Sequence, residues 1–204
     1  IKGLVLNHYP DLSKPRSQYL PLLELSVQEN PLDDRATFWL GREYVYYKNY
    51  DKGIETLKKH LSIPTAKWNE ERSASMRFIA KCYEEKGNLK EARSWLFRAL
   101  AECPDVREPY LALVKSGYKE KNWPLVYAMA EKGLAITEST GSYLVDPESW
   151  GYALYDYSSI SAYNMGMYEK AGEYAQKALS MAPDNKRLQN NLLTVEDKIK
   201  KQEK

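Results

Sequence analysis

Histidine and cysteine are scarce in this chain, with two of each among 204 residues. Cys82 and Cys103 form no C-x-x-C pair, so neither a disulfide framework nor a four-cysteine zinc site can be assembled. Both are expected to be small buried thiols in a reducing compartment. His8 and His60 are too few for most multi-histidine metal centres. Also missing are the phosphate-cradling G-x-x-x-x-G-K-[ST] loop, the dinucleotide G-x-G-x-x-G turn, the G-x-S-x-G nucleophile elbow and the zinc-binding H-E-x-x-H helix. The residues therefore imply no cofactor and no familiar catalytic motif. An excess of one charge is absent too: 30 Lys and Arg against 28 Asp and Glu leave +2. Bulk electrostatics thus directs the chain to neither nucleic acid nor an anionic membrane. No apolar run reaches the roughly 18 residues that a membrane span needs. The opening IKGLVLNHYP has neither the apolar stretch nor the cleavage site of a signal peptide. A cytoplasmic location is the expectation. Because the chain begins with Ile rather than Met, it is also expected to be cut from something longer.

What the sequence does have is aromatic bulk and repetition. Tyr and Trp number 17 and 5 against 3 Phe, and 43% of residues are apolar. Small or turn-forming residues recur twelve apart: Gly41 with Gly53, Ala80 with Ala92, Val114 with Val126, Ser159 with Ala171. Each second member is followed at +4 and +7 by Leu57 and His60, Leu96 and Ala99, Ala130 and Gly133, or Ala175 and Ala178. The first members stand 39, 34 and 45 residues apart, which is a 34-residue period with insertions of five and eleven. Pairs of helices explain the pattern. Gly87-Asn88 and Gly166-Met167 punctuate them, and Pro64, Pro104 and Pro183 fall just past the second helices. Small residues let the two axes approach, and each hairpin leaves an apolar face that only its neighbour can cover. Ala80, Ala92, Ala99, Ala171 and Ala178 are expected to be nearly fully buried.

These residues resemble the tetratricopeptide repeat. The closest copy by spacing is 73–106, with Ile79, Ala80, Tyr83, Gly87, Ala92, Leu96, Ala99 and Pro104; units 34–67, 107–140 and 152–185 match less completely. A half repeat is read over 15–33, with Tyr19, Leu23, Ser26 and Pro31 in the pattern of a lone second helix. Leu188, Leu192, Val195 and Ile199 mark a capping helix over 186–204, in preference to a coiled-coil seam. The implied fold is all-α, a superhelical stack of about ten helices, and the implied role is binding of a protein or peptide. Residues 1–14 stand outside the pattern. Leu4, Val5 and Leu6 read as a short strand with nothing to pair with, so this segment is expected to be the remnant of a preceding domain or a linker. With residues 8–31 and 146–159, it resembles the helical tail behind the catalytic domain of family 2 glycosyltransferases. That resemblance implies an upstream sugar-transfer domain, a glycan or protein acceptor, and His8 as a residue at the edge of its pocket. A free-standing adaptor is the alternative.

In such a solenoid the first helix of each hairpin lines a concave face. The repeat register then turns inward Arg35, Phe38, Arg42, Val45 and Tyr46, then Arg77, Lys81, Glu84 and Glu85, then Glu108, Leu111, Lys115, Tyr118 and Lys119, and lastly Asp156, Ile160, Tyr163 and Asn164. Arg42, Tyr46, Arg77, Lys81, Lys115, Tyr118, Lys119 and Tyr163 are the candidate binding residues. Bases interleaved with Tyr suit an acidic peptide, because Arg grips carboxylates bidentately and Tyr adds flat contact area. Resemblance to chaperone-binding tetratricopeptide proteins, which hold a peptide's terminal carboxylate with Lys and Asn, implies part of such a clamp at Lys81 and Lys115, although the matching Asn residues are missing from the first helices of the first two units. Charge reversal at Arg77 and Lys81 is expected to weaken binding without lowering the melting temperature. The second candidate surface is an aromatic cluster of Tyr143, Trp150, Tyr152 and Tyr155 around the longer insertion, read as core packing or as a platform for a sugar. His60, after Lys58 and Lys59, is expected at a helix end, where a cation suits the dipole. Trp39, Trp95 and Trp123 are expected in the core.

Overall fold

The structure is a computed structural model that describes residues 18–202. Eleven helices and no strand occur among them. The expected strand at Leu4 to Leu6 and His8 lie outside the described residues. Helix α1 (Tyr19–Glu29) precedes four hairpins: α2 (Asp34–Tyr46) with α3 (Tyr50–Ser62), α4 (Asn69–Glu85) with α5 (Leu89–Glu102), α6 (Glu108–Lys119) with α7 (Trp123–Leu134), and α9 (Ala153–Asn164) with α10 (Tyr168–Met181). The one-turn α8 (Pro147–Trp150) leads into the last hairpin, and α11 (Lys186–Gln202) closes the stack.

Local chemistry sets the hairpins. Each turn passes through one residue in the left-handed region: Lys48, Gly87, Lys121 and Gly166, with φ of 59°, 77°, 56° and 80°. In the first three an Asn follows, and its side chain caps the second helix by accepting from Lys52, Glu91 or Leu125 N–H. Pro64, Pro104 and Pro183 come two residues after α3, α5 and α10, where no helical hydrogen bond is lost. A side chain at a left-handed position carries a Cβ penalty that glycine avoids. Lys121→Gly is therefore expected to stabilise the chain by up to about 1 kcal/mol, read as a higher urea midpoint.

Packing follows the small residues. Ala92, Ala99, Ala171 and Ala178 are fully buried and Ala80 is 1% exposed. At Gly41 an added Cβ would stand 2.6 Å from the Leu57 side chain, so glycine is what lets α2 and α3 close. The main core runs from Phe38 through Leu57, Ile79 and Leu96 to Leu113; a second core around Leu111, Val126 and Leu154 continues it. Of the tryptophans expected in the core, Trp95 is buried, whereas Trp39 and Trp123 are half-buried. On α11, Leu188 and Val195 are buried, the latter against Ala162 and Ala171. The exposed far side of that helix carries Leu193.

Three expectations about register need correction. On α1 the inward residues are Leu20, Leu23 and Val27, packed on Ala36, Leu40 and Tyr44, whereas Tyr19 is 62% exposed. The apolar stripe is offset by one position at its two ends, because Leu20, Leu22, Leu23 and Leu25 put apolar side chains on more than one side of that helix. Phe38, Val45 and Leu111, read as lining the concave face, are core residues. The face of α2 that does look inward is Arg35, Trp39, Arg42 and Tyr46, a stripe at spacings of four, three and four. Finally, His60 does stand in the last turn of α3, but its side chain faces the core instead of solvent. It is fully buried, beneath Phe38 at 5.5 Å between rings.

Candidate functional site: a clasped concave face

The two insertions meet on the concave face. The shorter one, residues 68–72, adds a helical turn to the start of α4, which reaches 17 residues where α2, α6 and α9 have 13, 12 and 12. That turn brings Trp68, Glu70, Glu71 and Arg72. Arg72 fixes it by donating to the carbonyls of Leu61 and Ala66 at 3.0 and 3.1 Å and to Glu102 Oε1 at 2.6 Å. The longer insertion belongs to residues 135–146, which have no regular helix and return across the mouths of α6, α4 and α2. Unstructured connections of this length are uncommon in compact domains and tend to carry function.

This strap is held at both feet and at its tip. At the feet, Arg107 donates from Nε to the Ile136 carbonyl at 2.8 Å and lies 4.2 Å over the Trp150 ring. Its neighbour Glu108, 5% exposed, accepts from Asp146 N–H at 3.0 Å and from Trp150 Nε1 at 3.3 Å. At the tip, Thr140 and Ser142 both donate to Glu70 Oε2, and Tyr143 donates its hydroxyl to Glu71 Oε2. The Tyr143 ring stacks on Trp39 at 5.5 Å, leans on Trp68 at 5.5 Å, and receives the Arg35 guanidinium at 5.4 Å. Leu144 then tucks against the main core. Gly141, with φ of 67°, makes the turn just before these contacts.

Under the tip runs a buried polar chain. Ser75 Oγ and His60 Nδ1 are 2.9 Å apart, and His60 Nε2 stands 3.5 Å from Glu71 Oε1. Burial alone would raise the Glu71 carboxyl. The close approach of His60, the hydrogen bond from Tyr143 and the charge of Arg35 outweigh it and hold that carboxyl below its ordinary value. Glu71 is thus ionised throughout the neutral range. Its partner responds in the opposite sense: burial first, then the bond to Glu71, pushes the Tyr143 hydroxyl upward, so it stays a donor. A serine, a histidine and a carboxylate in line suggest a nucleophile relay, but Ser75 and His60 are fully buried and no substrate reaches them. The chain is a polar strut that stiffens the floor on which Tyr143 rests.

The candidate bases are mostly engaged within the molecule. Arg42 lies 4.4 Å over Trp39. Lys115 pairs with Glu148, and Lys119 with Glu84 at 2.7 Å. Arg77 lies at the floor with its Nε sealed from solvent. Burial presses its guanidinium below the ordinary value against the favourable pull of Glu108 and Asp146. Lys81 is exposed. Tyr46 and Tyr118 are exposed at the far ends of their helices, Tyr118 edge-on to Trp123 and Tyr157, while Tyr163 is half-buried against Tyr168. The second candidate surface does not assemble. Tyr143 joins Trp39 and Trp68, Trp150 joins Arg107, Tyr155 faces Tyr174, and the Tyr152 hydroxyl accepts from Asn185. The insertion carries its aromatic rings to separate places instead of to one platform. Asp156, also assigned to the groove, is buried and holds Arg187 and Asn191 of α11. The cysteines are free and buried, and burial raises both thiols to about 11.

Glu70, Glu71 and Trp39 are groove residues that the repeat register does not single out. The available signal is the five-residue insertion itself, which places two adjacent acids opposite the hydroxyl-rich run of the other insertion.

Comparison with known proteins agrees with this architecture. Residues 152–185 match the family model of the tetratricopeptide repeat. This is the unit whose first helix carries polar Ser158 and Ser159, both buried. No curated protein sequence matches the chain. Among solved structures, a chain of the APC/C hetero-tetramer Cut9-Hcn1 superposes with a TM-score of 0.65 at 14% identity, over 90% of this chain and 33% of that one. This chain therefore spans a third of the length of that relative. MamA superposes with a TM-score of 0.64 at 17% identity, over 88% of this chain and 99% of MamA. TTC0263, a thermophilic tetratricopeptide protein of Thermus thermophilus, gives 0.53 at 20% identity over 88% and 91%. The fold is that of a tetratricopeptide-type solenoid. No helix among the described residues is long and apolar enough to cross a membrane.

Proposed function

We propose that the chain is a non-catalytic protein-interaction module that takes an extended segment of a partner along its concave face. One observation carries this reading: the face already holds an extended peptide segment, its own strap, through side-chain contacts of the kind that an external peptide makes. The solenoid fold agrees, because stacked hairpins leave a continuous concave surface. Pairing of Arg35, Lys115 and Lys119 with Glu71, Glu148 and Glu84 argues against a strongly acidic partner, leaving Lys81 as an exposed base outside these pairs. Dispersal of Tyr143, Trp150, Tyr152 and Tyr155 to separate contacts gives no support to a sugar platform there. Attachment to a family 2 glycosyltransferase domain, with a protein or glycan acceptor on this face, rests on the sequence resemblance of residues 8–31 and 146–159.

The test is selection from a phage-displayed random peptide library on the whole chain. Enriched peptides are expected to lose at least tenfold in affinity with Lys81→Glu and Tyr118→Ala on the concave side, and to be unaffected by Lys90→Glu on the outer layer. Peptides that respond only to Lys90→Glu would place the binding surface on the outside and overturn the reading.

A further inference from the structure

The strap differs from an ordinary packed loop in what it leaves open. From Leu134 to Glu148 no residue is buried, and Tyr143 is 46% exposed even while it stacks on Trp39. The receiving side is the reverse: Glu71 is 4% exposed, beneath the strap. The feet are fixed by Arg107 and Glu108 at the start of α6, whereas the tip is held by the hydroxyls and ring of Thr140, Ser142 and Tyr143, with Leu144 behind them. The tip and the feet are therefore held by separate sets of contacts.

We infer that the strap tip is a built-in occupant of the concave face, which a partner must displace with a segment of the same chemistry: hydroxyl side chains and a tyrosine on an extended backbone. This rests on the peptide-binding reading and specifies it. Glu70 and Glu71 present carboxylate oxygens that only accept hydrogen bonds, so the seat selects donors and repels carboxylates. The slot between Trp39 and Trp68, with Arg35 beside it, is shaped for one flat ring whose hydroxyl reaches Glu71. The strap is tethered on both sides, which gives it an effective concentration of order millimolar at the seat. A free segment of equal intrinsic affinity sees only the fraction of molecules with the seat vacant, and its apparent affinity falls by that fraction.

The probe is a labelled synthetic peptide of residues 137–147 offered to the whole chain. Wild type is expected to bind it weakly, and the Thr140→Ala/Ser142→Ala/Tyr143→Ala variant at least tenfold more tightly. Adding Glu71→Gln to that variant is expected to undo most of the gain, as is a probe with Glu at the Ser142 and Tyr143 positions. In wild type, saturating peptide is expected to speed amide exchange across residues 138–145, as the strap is driven off. Tyr143→Phe, which keeps the stacked ring and removes only the hydroxyl, is expected to bind several-fold more tightly than wild type and carries the test if the triple variant does not fold. Equal affinity of wild type and a folded strap variant, or a glutamate probe that binds as well, overturns the inference. If that happens while library peptides still depend on Lys81 and Tyr118, the latch is wrong and the peptide-binding reading survives.

Discussion

Arg77→Glu is expected to destabilise the chain by about 3–5 kcal/mol, the range for breaking a buried charge arrangement. For a chain of this size that is a fall in melting temperature of order 10 °C, measurable by circular dichroism. The side chain sits at the floor of the concave face, with Nε sealed and with Glu108 and Asp146 as its opposing charges. Reversal puts a third carboxylate near those two and removes the positive charge that offsets them. Arg77→Met is the informative control. Glu108 keeps its donors at Asp146 N–H and Trp150 Nε1, so an apolar chain of similar length is expected to cost little or to stabilise. A reversal that leaves the melting temperature unchanged would mean that Arg77 is solvated. Repeat register alone predicts a solvated position, whereas the structure leaves Arg77 partly exposed with its Nε sealed. Charge reversal at Lys81, which is exposed, remains a test of binding without a stability effect.

Phe38→Ala is expected to cost about 3–5 kcal/mol, read as a lower urea midpoint with an unchanged slope. Phe38 is fully buried and meets Trp39 at 5.9 Å, His60 at 5.5 Å and Phe78 at 6.4 Å between ring centroids. Its removal opens a cavity where α2, α3 and α4 meet and unroofs the His60–Glu71 strut. The strap should loosen as a consequence, seen as faster amide exchange at residues 138–145. A loss below about 1 kcal/mol would show that the side chain is replaceable there, as a groove residue would be.

The sequence alone determined the class of fold, because the information is local and periodic. Twelve-residue offsets between small residues, Asn after the turn and Pro after the second helix each act within a few residues of where they stand. So four helical hairpins were legible without any long-range contact, as repeat units over 34–67, 73–106, 107–140 and 152–185. The insertions were also legible as departures from the period. Where their side chains go was not. Thr140 and Ser142 reach Glu70 across 70 and 72 residues of chain, and no spacing rule links positions so far apart. The rotation of each helix about its axis was equally out of reach. Phe38 and Trp39 are neighbours on one helix, and a modest rotation decides which is core and which is groove floor. Only the packing of α2 against α3 and α4, with Leu57 pressed on Gly41, fixes that angle. Tertiary structure likewise turned an open basic groove into a clasped one. Which acid pairs with which base was out of reach because Glu71, Glu84 and Glu148 lie on other helices or on an insertion, and charges find one another through space after the chain has folded.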